Sequence, residues 1–313
     1  DLDANGGEWR NSLGALDAFA VDGKNYGVPW DMGAVTFWYN KDLFAQAGIE
    51  AVPTTWSEFL ADCEKLKAAG ITPISVGEGD KWPGMHIWAY LVSRIGGADA
   101  FAAAAASGDA RTGTFEDEAF VQAGYELKKL VDGGYFQEGF LGATHDEMNA
   151  TFGNGKAAME LGGQWSPSVQ AANSADLAGV KNLGMFSFPA VEGGKGLVTD
   201  IVGGGNGFAI GANAEPEAID FVKYLTSLDN QKVIAASNTG IPVAKGAGVA
   251  LADPNMVLVS DAVANSTYYQ LYFDQVLPSA MGGIINDAVQ KIFAGTATPE
   301  EVCAEIEAGF LAQ

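Results

Sequence analysis

Apolar and polar positions along the chain switch repeatedly between two periods. The short apolar runs VTFWY (35–39), ITPISV (71–76), LGMFSF (183–188) and GFAIG (207–211) have the length and composition of strands, and AAMEL (157–161) has the same character. Between them the apolar positions fall at helical spacing. In TTWSEFLADCEKLKAAG, residues Trp56, Phe59, Leu60, Cys63 and Leu66 share one face, Thr55 and Glu58 form a capping box, and Gly70 is the predicted stop. FEDEAFVQAGYELKKLVDGG (115–134) predicts a second helix, with acids at its start and Lys128 and Lys129 near its end, as the helix dipole favours. Pro216 sits in the first turn of a third, EPEAIDFVKYLTS. Thr298 and Glu301 repeat the capping box in TPEEVCAEIEAGF, and the alanine tract 100–106 reads as helix. Strands alternating with helices in this way predict an α/β fold.

Two glycine-rich stretches interrupt the pattern, EGGKG (192–196) and GGGNG (203–207). The second precedes a strand instead of following one and opening a helix, and it lacks the third glycine of GxGxxG, so it is not read as a nucleotide loop. Its glycines suit a crossing between domains, where the backbone must absorb large changes. With 313 residues, 48% of them hydrophobic and 18% charged, the chain has room for two domains or one large one around a sizeable core. No apolar run reaches the roughly 18 residues of a membrane span. The absence of a starting Met and of a signal sequence reads as a mature or trimmed form. A net charge of −22 argues against nucleic acid, whose binders neutralise phosphates with Lys and Arg, and against anionic membranes or ligands. A neutral ligand fits better.

The search for catalytic chemistry is mostly negative. Two cysteines, Cys63 and Cys303, without a CxxC, and two histidines, His86 and His145, assemble no zinc set, so no metal or cofactor is expected. Cys63 on its apolar helix face reads as a buried free thiol, with a Cys63–Cys303 disulfide as the alternative. There is no GxSxG elbow. His86 reads as a helix-face residue, with a general base as the alternative. Among 39 acids, neighbours such as Glu78 and Asp80 or Glu116 and Glu118 arise by chance, and no glycosidase pair can be singled out. The aromatics say more. Trp30 (PWD), Trp82 (GEGDKWPG), Trp165 (LGGQWSP) and the group Tyr268, Tyr269, Tyr272 and Phe273 lie in four separate loop-like stretches, several framed by Gly or Pro. A loop Trp beside Asp, Gln or Asn suits a sugar: the ring takes the apolar face of a pyranose and the polar neighbours take its hydroxyls.

The order of these segments resembles the extracellular sugar-binding proteins of ABC importers, the group that includes maltose-binding protein. The stretch YGVPWDMGAVTFWYNKDLFAQAGIEAVPTTWSEFLADCEKLKAAGITPI carries the resemblance first, its YNKDLF and TTWSEF pieces being the most specific. FGNGKAAMELGGQWSPSV, VGGGNGFAIG, AIDFVKYLTSLDNQKVIAASNTGIPVAKG and NDAVQKIFAGTATPEEV follow in the family's order. The resemblance implies a two-lobe α/β periplasmic-binding-protein-like fold of type II, closing on a sugar in its cleft. It implies that 1–34 and 206–268 belong to lobe one and that 35–205 and 269–313 form lobe two, with crossings near 33–35, 203–207 and 268–273. Family members usually begin with roughly 90 to 110 further residues, about a small domain's worth, so lobe one is expected to be incomplete here.

For the site, the resemblance implies Trp165 as the main stacking platform, with Gln164 taking a hydroxyl beside it. Trp82, with Asp80 and Lys81, is the second expected wall. Trp30 and Asp31 are expected to reach the ligand from the first crossing, and Asn206 stands where relatives often carry a Trp. Tyr272 and Asp274 near the third crossing, and Glu160 as a strand-end acid, complete the candidates. Trp38 and Tyr39 are expected to pack. The implied protein is a non-enzymatic carrier of a neutral carbohydrate that meets ABC-transporter permease subunits and no nucleic acid. It would work outside the cytoplasm, periplasmic or lipid-anchored at the surface, as a monomer or completed by a separate N-terminal fragment. A carbohydrate hydrolase using a carboxylate pair, and a binder of a non-sugar solute on the same fold, are the alternatives.

Overall fold

The computed structural model describes residues 7–21, 24–238 and 240–313. The opening DLDANG and Thr239 of the SNTGIP run lie outside the described residues. The chain separates into two compact units. The second comprises Val35–Gly162, Ser166–Val202 and Ser266–Gln313. The first comprises the described part of 1–34 together with Gly163–Trp165 and Gly203–Asn265. This division departs from the sequence reading at three places, the first being that residues 203–205 fall in the first unit instead of the second. Residues 163–165 group with the first unit, and the last boundary falls at 265/266, which leaves Tyr268–Phe273 wholly in the second.

The second unit is built on a four-stranded mixed sheet in the order Thr72–Ser75, Ala157–Gly162, Thr36–Asn40, Leu183–Phe186. Thr36–Asn40 is antiparallel to both neighbours, whereas Thr72–Ser75 and Ala157–Gly162 run parallel. All six residues of Ala157–Gly162 are buried, as expected of a strand covered on both faces. Phe37 stands opposite Leu161 and Phe186 and opens an aromatic core, with ring centroids 4.8 Å from Phe59, 5.1 Å from Phe186 and 5.5 Å from Phe188. Trp56 stacks on Phe59 at 5.0 Å and Tyr90 on Phe188 at 4.7 Å. Trp38 is buried, with its indole N–H donated to Gly162 O at 3.1 Å, and Tyr39 packs on Phe44, so both are packing residues as expected.

The helix ends follow their local chemistry. The capping boxes at Thr55/Glu58 and Thr298/Glu301 start Trp56–Ala68 and Pro299–Leu311, and Thr144/Glu147 adds a third at His145–Gly153. Gly70 follows the first of these helices with φ +75°, a conformation that glycine adopts without strain. The helix expected over 115–134 forms as Glu118–Asp132, because the preceding residues make a turn in which Thr114 bonds the Asp117 carboxylate through both N–H and hydroxyl. Cys63 and Cys303 are both buried free thiols, so the disulfide alternative is not realised. EGGKG proves to be a backbone contact. A Cβ on Gly194 would overlap Arg94 O and one on Gly196 would overlap Ser93 O, so the loop lies directly on the end of helix Trp82–Gly96.

Among the described residues of the first unit, strands pair two at a time. Gly27–Pro29 is antiparallel to Gly207–Ala209, Asp31–Met32 to Ile241–Pro242, and Ala20–Val21 to Lys24–Asn25. Leu13, Val28, Val222, Val243, Ala244 and Ala247 form its core, with Trp9, Phe208 and Ile210 packed against them. Pro216 opens the helix Pro216–Leu225 at its first position, as expected.

Candidate functional site

Each unit carries one of the expected groups of side chains. In the second unit the turn before helix Trp82–Gly96 is tight: Lys81 has φ +67°, and Trp82 N–H donates to Asp80 O at 2.7 Å. This turn leaves the half-buried Trp82 ring between two imidazoles, 4.7 Å from His145 and 5.1 Å from His86. His86 in turn stacks on Tyr272 at 4.8 Å and 23°. Four rings thus form a continuous aromatic array, in which Trp82 and His145 are half-buried and His86 and Tyr272 are buried. Asp80 lies at its edge, its carboxylate accepting the backbone N–H of His145 at 2.7 Å, while the Lys81 ammonium is engaged by Asp287 at 2.5 Å.

Burial controls the charge of this group. His86 is pushed down to about 3, chiefly by burial and then by His145, so its ring is neutral at physiological pH. Burial also lowers His145, with Asp146 and Asp80 acting against the shift. Asn149 donates to His145 O at 2.8 Å, and its amide nitrogen lies 3.0 Å from His145 Nε2, which suits a neutral ring accepting at Nε2. Asp274 accepts from Asn286 at 3.1 Å and is raised by burial. Glu78, with no exposed surface, is raised to about 8 by burial, partly offset by the Gly84 N–H. A Cβ on Gly84 would overlap its carboxyl oxygen, so the glycine is what admits the acid to the helix start.

In the first unit, Trp30, Asp31 and Asn206 form one hydrogen-bonded set. Trp30 N–H donates to Asn206 O at 2.8 Å, and Asp31 accepts Asn206 N–H at 2.6 Å and its side-chain amide at 3.3 Å. Burial raises Asp31 in spite of these bonds. Its carboxylate therefore holds the GGGNG turn in place, and the half-buried Trp30 next to it packs edge-on against Phe208, 6.4 Å between ring centroids. Gln231, unsuspected from sequence, supports Trp30 from behind. It donates to Trp30 O at 2.8 Å while its own carbonyl accepts Val243 N–H at 2.7 Å and Ala244 N–H at 3.2 Å. Trp165 is half-buried, and Gln164 beside it is buried. Glu160 has no exposed surface and is raised to about 8 by burial, which the Ser166 hydroxyl offsets only in part. It does not present itself to solvent.

Residues 2–232 match the family of bacterial extracellular solute-binding proteins, and the chain belongs to that family. It is 29% identical over 216 residues to the multiple sugar-binding protein of Streptococcus mutans, covering 67% of this chain and 49% of that protein. It is 26% identical over 244 residues to the diacetylchitobiose binding protein DasA of Streptomyces coelicolor, covering 76% and 53%. The chain thus spans about half the length of these curated relatives. Among solved structures, a chitin oligosaccharide binding protein superposes with a TM-score of 0.88 at 32% identity, covering 99% of this chain and 76% of that one. A protein studied for xylan utilization in the thermophilic bacterium Caldanaerobius polysaccharolyticus gives 0.87 at 31% identity, covering 98% and 79%. The fold is the α/β fold of type II solute-binding proteins.

Proposed function

We propose that this chain binds a neutral carbohydrate outside the cytoplasm and hands it, as a monomer, to the permease of an ABC importer. The observation that carries this reading is the ring array His145–Trp82–His86–Tyr272 with the Asp80 carboxylate at its edge. Of these rings Trp82 and His145 are half-buried, and His86 and Tyr272 back them from within; an uncharged aromatic face flanked by an acceptor suits a pyranose, whose C–H face stacks while its hydroxyls donate. Within the first unit, Trp165 and Trp30 are the rings proposed for the same chemistry. The relatives named for multiple sugars, diacetylchitobiose and chitin oligosaccharides support the substrate class. The net charge of −22 favours a neutral sugar over an anionic one. Those relatives are named as binding proteins, and the reading is of a carrier with no hydrolytic step.

Stacked rings contribute about 0.5–1.5 kcal/mol each beyond their buried area. Trp82→Ala and Trp165→Ala are therefore each expected to weaken sugar binding about tenfold or more. Calorimetric titration of the purified variants with N,N′-diacetylchitobiose, xylobiose and maltose checks this. Wild-type affinity in both variants would remove these rings from the site. Sugar chromatography after prolonged incubation should show the oligosaccharides intact, and release of monosaccharide would favour the hydrolase.

A further inference from the structure

We infer that Gly163 is a positioning residue that seats the Trp165 ring and thereby sets sugar affinity; this rests on the stacking role of Trp165 proposed above. A Cβ built on Gly163 would overlap Cζ3 and Cη2 of Trp165 and stand 2.5 Å from its Cε3. These three atoms are one edge of the six-membered ring. The indole therefore folds back over the residue two positions before it and rests its benzo edge against the glycine.

Glycine is required here for space alone. Gly163 is absent from the left-handed region of backbone conformation, so an alanine meets no backbone strain. Only the ring must give way, and Trp165 is half-buried, so it can move without opening the core. The neighbouring positions show the same device on a smaller scale. A Cβ on Gly162 would overlap the Ser166 hydroxyl, and one on Gly33 would overlap the Gln164 carboxamide oxygen. Those polar tips can swing aside at little cost, whereas an indole changes its orientation as a whole. The glycines of GGQWSP are thus the seats on which its side chains lie. A stacking platform acts only in one orientation, because the sugar must meet the ring face and its hydroxyls must meet their partners together. Gly163 fixes that orientation without touching the sugar.

The test uses the full chain labelled with 5-fluorotryptophan, whose seven tryptophans give separate fluorine resonances, with Trp165 assigned by Trp165→Phe. Gly163→Ala should move the Trp165 resonance and leave the other six in place. In titrations with N,N′-diacetylchitobiose, xylobiose and maltose, it should weaken binding about fivefold, short of the tenfold or greater loss from removing the ring. In a Trp165→Ala background the same substitution should cost nothing further. An unmoved Trp165 resonance, or an equal loss of affinity in both backgrounds, overturns the proposal. If Trp165→Ala itself leaves affinity unchanged, the stacking reading fails, and the fluorine spectrum alone then decides the seat.

Discussion

Glu160→Gln is expected to make the protein more stable at pH 8 and to flatten the fall of its stability between pH 5 and pH 8. The Glu160 carboxyl has no exposed surface, its oxygens make no well-formed hydrogen bond among the described residues, and burial raises its pKa from 4.5 to about 8. The folded state therefore holds a proton that the unfolded state releases throughout this window. Stability from a group of this kind is fully present below the unfolded value of 4.5 and is lost as pH rises through about 8. The slope approaches about 1.4 kcal/mol per pH unit, which amounts to a few kcal/mol across the window. Gln has nearly the shape of the neutral acid and carries no proton to lose, so the variant should lack this slope. Glu78, raised to about 8 by burial at the start of helix Trp82–Gly96, should behave in the same direction in Glu78→Gln. Urea unfolding at pH 5, 6, 7 and 8 for wild type and both variants measures the effect. If the Glu160→Gln midpoints run parallel to wild type across that range, the buried carboxyl is not held protonated.

What the sequence made legible is mostly local. A capping box spans four residues, so Thr55, Glu58, Thr298 and Glu301 announce their helix starts without reference to the rest of the chain. Buried strands announce themselves by composition, and Thr36–Asn40 and Ala157–Gly162 fall where the apolar runs lie. The candidate aromatics were also legible as types, since a Trp in a Gly/Pro-framed loop has no periodic face on which to pack. Their surroundings were not. His145 donates to Asp80 across 65 residues of chain, and Asn206 to Asp31 across 175, and neither pairing leaves a mark at short range. His86 was legible as a helix-face residue. That its face carries Trp82 on one side and Tyr272 on the other depends on how the 268–273 segment returns to that helix. EGGKG shows the same limit. A glycine run reads as freedom of the backbone, but Gly194 and Gly196 are there because helix carbonyls approach too closely for any side chain.

Those carbonyls belong to the end of helix Trp82–Gly96 that also carries Arg94, and Arg94→Met is expected to destabilise the protein by about 3 kcal/mol or more. Arg94 has no exposed surface. Its Nε donates to Phe188 O and Pro189 O, both at 3.2 Å, and its Nη2 to Phe188 O at 2.9 Å and Val198 O at 3.3 Å. The guanidinium centre lies 5.1 Å from the Tyr90 ring centroid and 5.9 Å from that of Phe188, the stacked pair at the edge of the aromatic core. Burial lowers its pKa, while Tyr90 and Asp200 act to keep it charged. One side chain therefore satisfies three carbonyls of the segment that runs from the sheet toward GGGNG. Met fills much of the same volume but leaves those acceptors unpaired, and each buried acceptor without a donor costs about 1–3 kcal/mol. Arg94→Lys keeps the charge yet lacks the planar fork that reaches two acceptors at once, so it should recover only part of the loss. Urea midpoints in the order wild type, Lys, Met are the expected result. A Met variant that unfolds at the wild-type midpoint would mean that the 188–198 segment is held by its backbone contacts to Arg94 and Ile95, which both variants keep.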